Sequence, residues 1–425
     1  MKIICAPPDF DFPSAGGDLD VVLYGHSDRS IRGSVGDEVK DTVRREKLYP
    51  APRAWDFLSI ALSIVAADLA GHRNRSPDGW TREFDLSIAV ADPDFWNTQI
   101  APLEGLLRFL TTDRWNLHFL DRGLLPAPDR NPVMPEEDCV VLLSGGLDSF
   151  VGALDLTSLG RRPIAVSQLV RGDAEKQREL ASLIGGGLRH LQMNHNAHLP
   201  DPEKPPSQRA RSVVFLAYGV LAATTLARYH RGDTVTLYIC ENGFISINPP
   251  LTNARLGSLS TRTSHPVVLD MTQRMLNDAG LRVQITNPYA EKTKGEMLTD
   301  CRNQSMLRSH AHQTTSCGRF NRFGQQHCGR CVPCLIRRAA FNAWGVADHT
   351  DYYYEKLSRK DGDHAGFDDV RAAAMAVVDV RQNGLGSWIG ATLSSSNLRN
   401  VDALRGVVSR GLDELAAFLQ VQKVQ

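Results

Sequence analysis

The chain has 425 residues, enough for two or three domains with cores of their own, and its 48 basic and 48 acidic residues leave a formal net charge of zero. That balance excludes a global field drawing the protein to nucleic acid or anionic membrane, and 42% hydrophobic with 23% charged residues is the composition of an ordinary soluble protein. Residues 1–16 show no basic segment leading into an apolar run, and the longest apolar helix candidate, Phe57–Ala67, is too short to span a bilayer, so no secretory leader, no membrane span and a cytoplasmic location are expected.

Residues 1–135 read as an N-terminal α/β module. Strands are predicted over Asp20–Tyr24, Phe84–Val90 and Trp115–Leu120, with two helices between them. In the first helix Leu58, Leu62, Val65 and Leu69 share one face; the second runs from about Phe95 to Leu110. His26 and Asp28 fit a solvated loop, and no chemistry is legible in the module. Pro126, Pro128, Pro132 and Pro135 mark a linker into the next unit, residues 136–345. There the pattern becomes strand, helix, strand, helix, with strands predicted over Cys139–Leu143, Pro163–Leu169, Arg189–Asn194, Thr234–Cys240 and Leu281–Thr286. Such alternation predicts a doubly wound parallel sheet with helices on both faces and ligands at the carboxyl ends of the strands.

The stretch Cys139–Phe150, CVVLLSGGLDSF, organises this unit. A buried strand delivers Ser144, Gly145 and Gly146 into a helix opening near Ser149. Paired glycines let successive backbone N–H groups converge on an anion, two serine hydroxyls add donors, and the helix presents the positive end of its dipole. The cradle is not a Walker A loop, because no GK[ST] follows the glycines. Glu241, Asn242 and Gly243 stand at the end of the fourth strand, where they either read the amino and imino edge of a base or form a plain turn. Asn196–Gln208, rich in proline, is a candidate loop at the same edge. Arg209 and Arg211 then open an apolar helix over Ser212–Arg228, at an electrostatic cost that suits either a nearby anion or a solvated helix end. In EKTKGEM, Lys292 and Lys294 either supply positive charge to the cradle or lie on a solvated helix.

Of eight cysteines, Cys5, Cys139, Cys240 and Cys301 are dispersed and read as small buried hydrophobes. Cys317, Cys328, Cys331 and Cys334 have the spacing C-x10-C-x2-C-x2-C, which brings four thiolates to one cation; the closed tetrahedron predicts structural Zn²⁺. Residues 346–425 form a mostly helical extension. Leu404, Val408, Leu415 and Leu419 share a face of the last helix, and Tyr352–Tyr354 fit packing better than base stacking.

SGGLDS, EKTKGE and SC-x10-C-G-x-C-x2-C-x2-R-x3-F together resemble the QueC family, the 7-cyano-7-deazaguanine synthases of the PP-loop ATP pyrophosphatase superfamily, over roughly residues 138–345. The resemblance implies an ATP-dependent ligase that adenylates the carboxylate of 7-carboxy-7-deazaguanine, lets an amine displace AMP, and in the family dehydrates the amide to a nitrile. It places ATP on Leu143, Ser144, Gly145, Gly146, Leu147, Asp148, Ser149 and Phe150 with Mg²⁺ on the triphosphate. Ser144, Asp148, Lys292 and Lys294 become catalytic candidates, Arg211, Glu241, Asn242, Gly243 and Arg337 substrate candidates, and the four clustered cysteines zinc ligands. Three departures stand out: Phe150 and Val151 replace the usual threonines, ENGFISINPPLTNARLG replaces the usual pocket segment, and a whole module precedes the loop. In these respects the chain looks like the QueC-like proteins of bacterial anti-phage defence, the QatC proteins of the Qat system in particular, which implies a partner protein docked on the N-terminal module and accepting the acyl group. Ammonia as acceptor, in the housekeeping synthesis that feeds queuosine, and a non-catalytic nucleotide-binding scaffold are the alternatives. No direct nucleic-acid partner is expected.

Overall fold

A computed structural model describes residues 1–13, 17–28, 30–169, 174–204, 209–252, 264–357, 367–395 and 398–424. The end of the predicted Asn196–Gln208 loop (205–208) and the end of ENGFISINPPLTNARLG (253–257) lie outside these residues.

The described chain is α/β, built on two five-stranded sheets in which every pairing is parallel. The first has the order β3-β2-β1-β4-β5, from β1 (Lys2–Ala6), β2 (Leu19–Leu23), β3 (Gly33–Val35), β4 (Glu83–Ala89) and β5 (Arg114–Leu120). Neither β1 nor β3 was anticipated: β1 lies at the very start of the chain, and β3 is a three-residue strand beginning with glycine. The second has the order β10-β9-β6-β7-β8, from β6 (Cys139–Leu142), β7 (Pro163–Gln168), β8 (His190–Met193), β9 (Val235–Tyr238) and β10 (Val283–Thr286). The chain winds outward from β6 to β8, then returns to the other side of β6 through β9. A crevice therefore opens between the carboxyl ends of β6 and β9, the topological switch point at which doubly wound sheets take ligands.

Strand β6 is apolar at consecutive positions because both its faces are covered. Val140 and Leu142 join the core that contains the helix Arg211–Thr225, whereas Val141 and Leu143 join the core that contains the helix Leu147–Ser158. The first of these cores is continuous across both sheets. The helix Pro52–Ala70 packs on β2, β3 and β4 and against Arg211–Thr225, which in turn packs on β6, β7 and β9. An amphipathic stripe was expected for the first helix; instead it is buried from Ala54 to Asp68 on nearly every side, because a second helix and a second sheet cover the face opposite its own sheet. Its buried Asp68 is satisfied internally, accepting from Arg82 at 2.5 Å and from the Ala210 amide at 3.2 Å.

A third core gathers the helices Phe367–Asn383, Leu385–Leu393 and Val401–Val421 against Val332–Trp344 and the Phe244–Leu251 segment. Leu404, Val408, Leu415 and Leu419 are all buried in it. Among the described residues, no helix is long and apolar enough to cross a membrane.

Candidate active site

The turn after β6 takes its shape from its own side chains. Gly145 has φ +85°, a left-handed conformation that a β-carbon would strain, and its carbonyl accepts from the Thr315 amide at 2.9 Å. Ser144 Oγ accepts from the Gly146 amide at 3.2 Å and lies 3.1 Å from Ser149 Oγ, which donates to the Gly146 carbonyl at 3.0 Å. A β-carbon on Gly146 would stand 3.1 Å from Ser144 Oγ and 3.2 Å from the Thr315 carbonyl oxygen, so the turn is tight at its second glycine too. The helix Leu147–Ser158 then begins with its first-turn amides unclaimed by helix carbonyls.

Behind the loop sits a buried ion pair. Lys294 Nζ donates to Asp148 Oδ1, while the Asn242 backbone amide and side-chain amide donate to Oδ2 at 3.1 and 2.6 Å. Both Asp148 and Lys294 are more than nine-tenths buried. Burial alone would raise the Asp148 pKa, but the Lys294 charge and hydrogen bonding with Glu241, Lys294 and Asn242 outweigh it and hold the carboxyl at about 2. Asp148 thereby fastens three segments together at the switch point: the loop after β6, the turn after β9 and the helix Lys294–Asp300.

These groups wall a cavity of about 400 Å³, within the range of small-molecule sites. Ser144, Gly146, Leu147, Asp148 and Ser149 form one side, and Glu241 and Lys294 lie beside them. The opposite wall, which the sequence reading missed, comes from Thr315, Ser316 and Gly318, with Gln168, Ser212 and Phe215 closing the end. Gln168 could have been found, since it ends β7 one strand from the loop. Arg211 lines that end and donates to Gln168 Oε1 at 3.2 Å. Gln168 Nε2 in turn faces His195 Nδ1 at 3.2 Å, and burial together with the Arg211 charge pushes His195 down to about 4, leaving it a neutral acceptor at neutral pH. The first sheet supports this end: Gly36 N–H donates to the His195 carbonyl, and Ser34 exchanges both backbone bonds with His198.

Other predicted residues lie elsewhere. Lys292 is outside the cavity and pairs with Asp300 at 3.0 Å, because it precedes the helix start that turns Lys294 inward. Leu143 and Phe150 are core residues, and Leu143 contributes its carbonyl to Ser167 at 2.5 Å. Gly243 is behind the wall; its amide donates to the Lys292 carbonyl, and a β-carbon there would lie 2.0 Å from the Ala290 carbonyl oxygen. Arg337 is fully buried and bonds Ala311, Thr314, Ser316 and Thr350, so it orders the Thr315–Ser316 wall from behind rather than facing the cavity.

The four clustered cysteines are all buried, with ligand atoms within 4.8 Å of one another. Cys317 and Cys331 sulfurs lie 3.8 Å apart and those of Cys328 and Cys334 4.0 Å, close to the ~3.8 Å edge of a tetrahedron with Zn–S bonds of ~2.3 Å. Amides of Arg319 and Cys328 donate to Cys317 Sγ, and that of Cys331 to Cys328 Sγ, each at 3.3 Å, the outer-shell bonding that stabilises thiolates. The set fits a structural zinc. Cys317 also lines the cavity, so the metal knuckle would hold one wall of the site.

Residues 264–345 match the family described as "Queuosine biosynthesis protein QueC". The chain is similar to the 7-cyano-7-deazaguanine synthase of Rhizobium etli (strain CIAT 652), 26% identical over 181 residues that span 40% of this chain and 65% of that protein. It is 26% identical over 244 residues to the enzyme of the same name from Rhizobium johnstonii, covering 50% of this chain and 91% of that one, and 25% identical over 239 residues to that of Acetivibrio thermocellus, covering 50% and 96%. The chain thus spans just under two thirds of the first of these relatives. No solved structure matches it.

Proposed function

We propose, from the match of residues 264–345 to the QueC family, that the protein uses ATP to adenylate the carboxylate of a 7-deazaguanine, 7-carboxy-7-deazaguanine, and passes the acyl group to ammonia, as a 7-cyano-7-deazaguanine synthase. The single observation that carries this reading is the Asp148–Lys294–Asn242 cluster beneath the serine-glycine turn, because it places one buried cation and a set of backbone donors around a cavity at the sheet's switch point. In this reading the substrate carboxylate attacks the α-phosphorus in line, its bond to the bridging oxygen breaks, and pyrophosphate leaves toward the Ser144–Ser149 amides. Lys294, tethered by Asp148 through one of its three N–H bonds, has donors left for the developing negative charge. Arg211 and Gln168 at the far end suit the polar edge of the heterocycle, with Phe215 beside them for its face. Ammonia then displaces AMP from the acyl adenylate to give the amide, and a second ATP would adenylate the amide oxygen, which leaves with AMP as the nitrile forms. A divalent cation, Mg²⁺, would neutralise the triphosphate, and zinc would keep the Cys317 wall in place.

A second reading keeps the activation step and replaces ammonia with an amine of a partner protein, as in anti-phage systems of the Qat type. What favours it is a cavity of about 750 Å³ on the N-terminal half, lined by Val43, Leu48, Trp55 and Leu125 with Lys40 and Arg44 at its edge, a surface suited to a protein segment. Incubation with ATP, Mg²⁺, 7-carboxy-7-deazaguanine and ammonium, followed by mass spectrometry, decides between them. The first reading expects the amide or nitrile of the base with AMP; acylated protein without a small-molecule amide would favour the second, and AMP formation with neither base nor any protein modified would overturn both.

A further inference from the structure

Lys294 is held from two sides. Asp148 grips its ammonium group, and the segment that carries it is gripped by the last helix of the chain, Val401–Val421, far away in sequence. Thr293 caps the helix Lys294–Asp300: its side chain accepts from the Glu296 amide at 3.1 Å, while Glu296 Oε2 accepts from the Thr293 amide at 2.8 Å. Glu414 adds a second layer to this box. The Thr293 hydroxyl donates to Glu414 Oε1, and the Gly295 amide donates to Glu414 Oε2 at 3.2 Å, so the carboxylate brackets Lys294 by both of its chain neighbours. Room for that carboxylate exists only because residue 295 is glycine; a β-carbon there would stand 2.5 Å from Glu414 Oε1. One turn earlier, Arg410 Nε donates to Glu296 Oε1 at 2.5 Å and Arg410 Nη2 to the Glu291 carbonyl at 2.9 Å.

The same helix reaches the other partner of Asp148. Gly411 lies against the Phe244 ring, where a β-carbon would come within 2.3 Å of Phe244 Cδ2, and Val407 packs beside Gly243. Phe244 follows Asn242 by two residues on the turn after β9. One helix of the C-terminal extension thus backs both segments whose side chains converge on Asp148.

We propose that Glu414 is a positioning residue for the adenylation site: it fixes the backbone at Thr293 and Gly295 so that Lys294 stands at Asp148 and faces the cavity, which makes the C-terminal extension an integral part of the catalytic apparatus. The inference rests on the proposed ATP chemistry for its kinetic consequence, but not for its structural one. Glu414 is half-buried, and burial, with the nearby Glu296 charge, raises its carboxyl pKa, while the hydrogen bonds from Thr293 and Gly295 pull the other way.

The test uses the full-length protein and the variants Glu414→Ala and Glu414→Gln, with Asp413→Ala on the exposed side of the same helix as control. In pyrophosphate exchange, Glu414→Ala is expected to lower kcat by ~10- to 100-fold, as displacement of a positioned group does, with little change in KM for the deazaguanine acid, whose contacts are elsewhere. Glu414→Gln, which keeps one acceptor for Thr293 and the same volume, recovers part of the loss, and Asp413→Ala none of it because it loses none. Independently of activity, Lys294 is slow to react with an acylating reagent in the wild type and faster in Glu414→Ala, read by mass spectrometry of the Lys294 peptide. Wild-type kcat together with wild-type Lys294 labelling in both Glu414 variants would overturn the inference. Exchange absent from the wild type itself would overturn the proposed function instead, and the labelling result would still decide this one.

Discussion

Lys292 and Lys294 are separated by one residue and differ completely in role, and the difference is electrostatic. Lys292 is on the surface beside Asp300, where a solvated ion pair contributes little. Lys294 is buried against Asp148 and on the cavity wall, where a fixed positive charge acts in a low dielectric. Lys294→Ala should therefore lower pyrophosphate exchange by ~10²- to 10³-fold, whereas Lys292→Ala should stay within about twofold. The same pair governs acid stability. Because the folded protein holds Asp148 near 2 against an ordinary 3.8, the ionised form is the one the fold stabilises. Its contribution is complete above about pH 4 and is lost as pH falls toward 2. Urea titrations across that window should show wild-type stability falling more steeply with acid than that of Asp148→Asn; parallel curves would contradict the buried pair.

At the level of elements, zinc held by the four-cysteine knuckle would do two jobs with one set of bonds: fold its own segment and set the Thr315–Cys317 wall. Chelation, or Cys331→Ser, should lower the melting temperature and also weaken nucleotide binding, and a loss of stability with unchanged nucleotide affinity would show that the wall stands without the metal. Much of this level was readable from the sequence. The four-cysteine spacing, the SGGLDS turn after a buried strand and the alternation from Cys139 onward are local patterns, and local patterns survive into the fold. The position of Lys294 was half readable, since the segment was identifiable but which of its lysines pointed inward depended on a helix start that Thr293 defines. What escaped was long-range: the Gln168 and Phe215 that join the anticipated Arg211 at the end of the cavity, the retreat of Arg337 and Gly243 behind the wall, and the contribution of the last helix all depend on which segments the sheet order brings together.

At the scale of the molecule, the two sheets share a core through Pro52–Ala70 and Arg211–Thr225. A self-contained module at residues 1–135 that only docks a partner, as the sequence reads, could be deleted while sparing adenylation. The shared core alters that: removing residues 1–135 uncovers the buried face of Arg211–Thr225, and the remainder should fail to fold rather than lose transfer alone. Leu58→Ala, in the seam, should cost ~2–5 kcal/mol and slow no part selectively; amide exchange should report equal weakening in both sheets, and weakening confined to the first would show two independent units.

Whether main-chain amides and Lys294 around this cavity activate a deazaguanine carboxylate with ATP can be read from ATP–pyrophosphate exchange with 7-carboxy-7-deazaguanine. Exchange should require the acid and fall by at least about a hundredfold in Asp148→Ala. Exchange that proceeds equally well without the acid, or in Asp148→Ala at the wild-type rate, would contradict it.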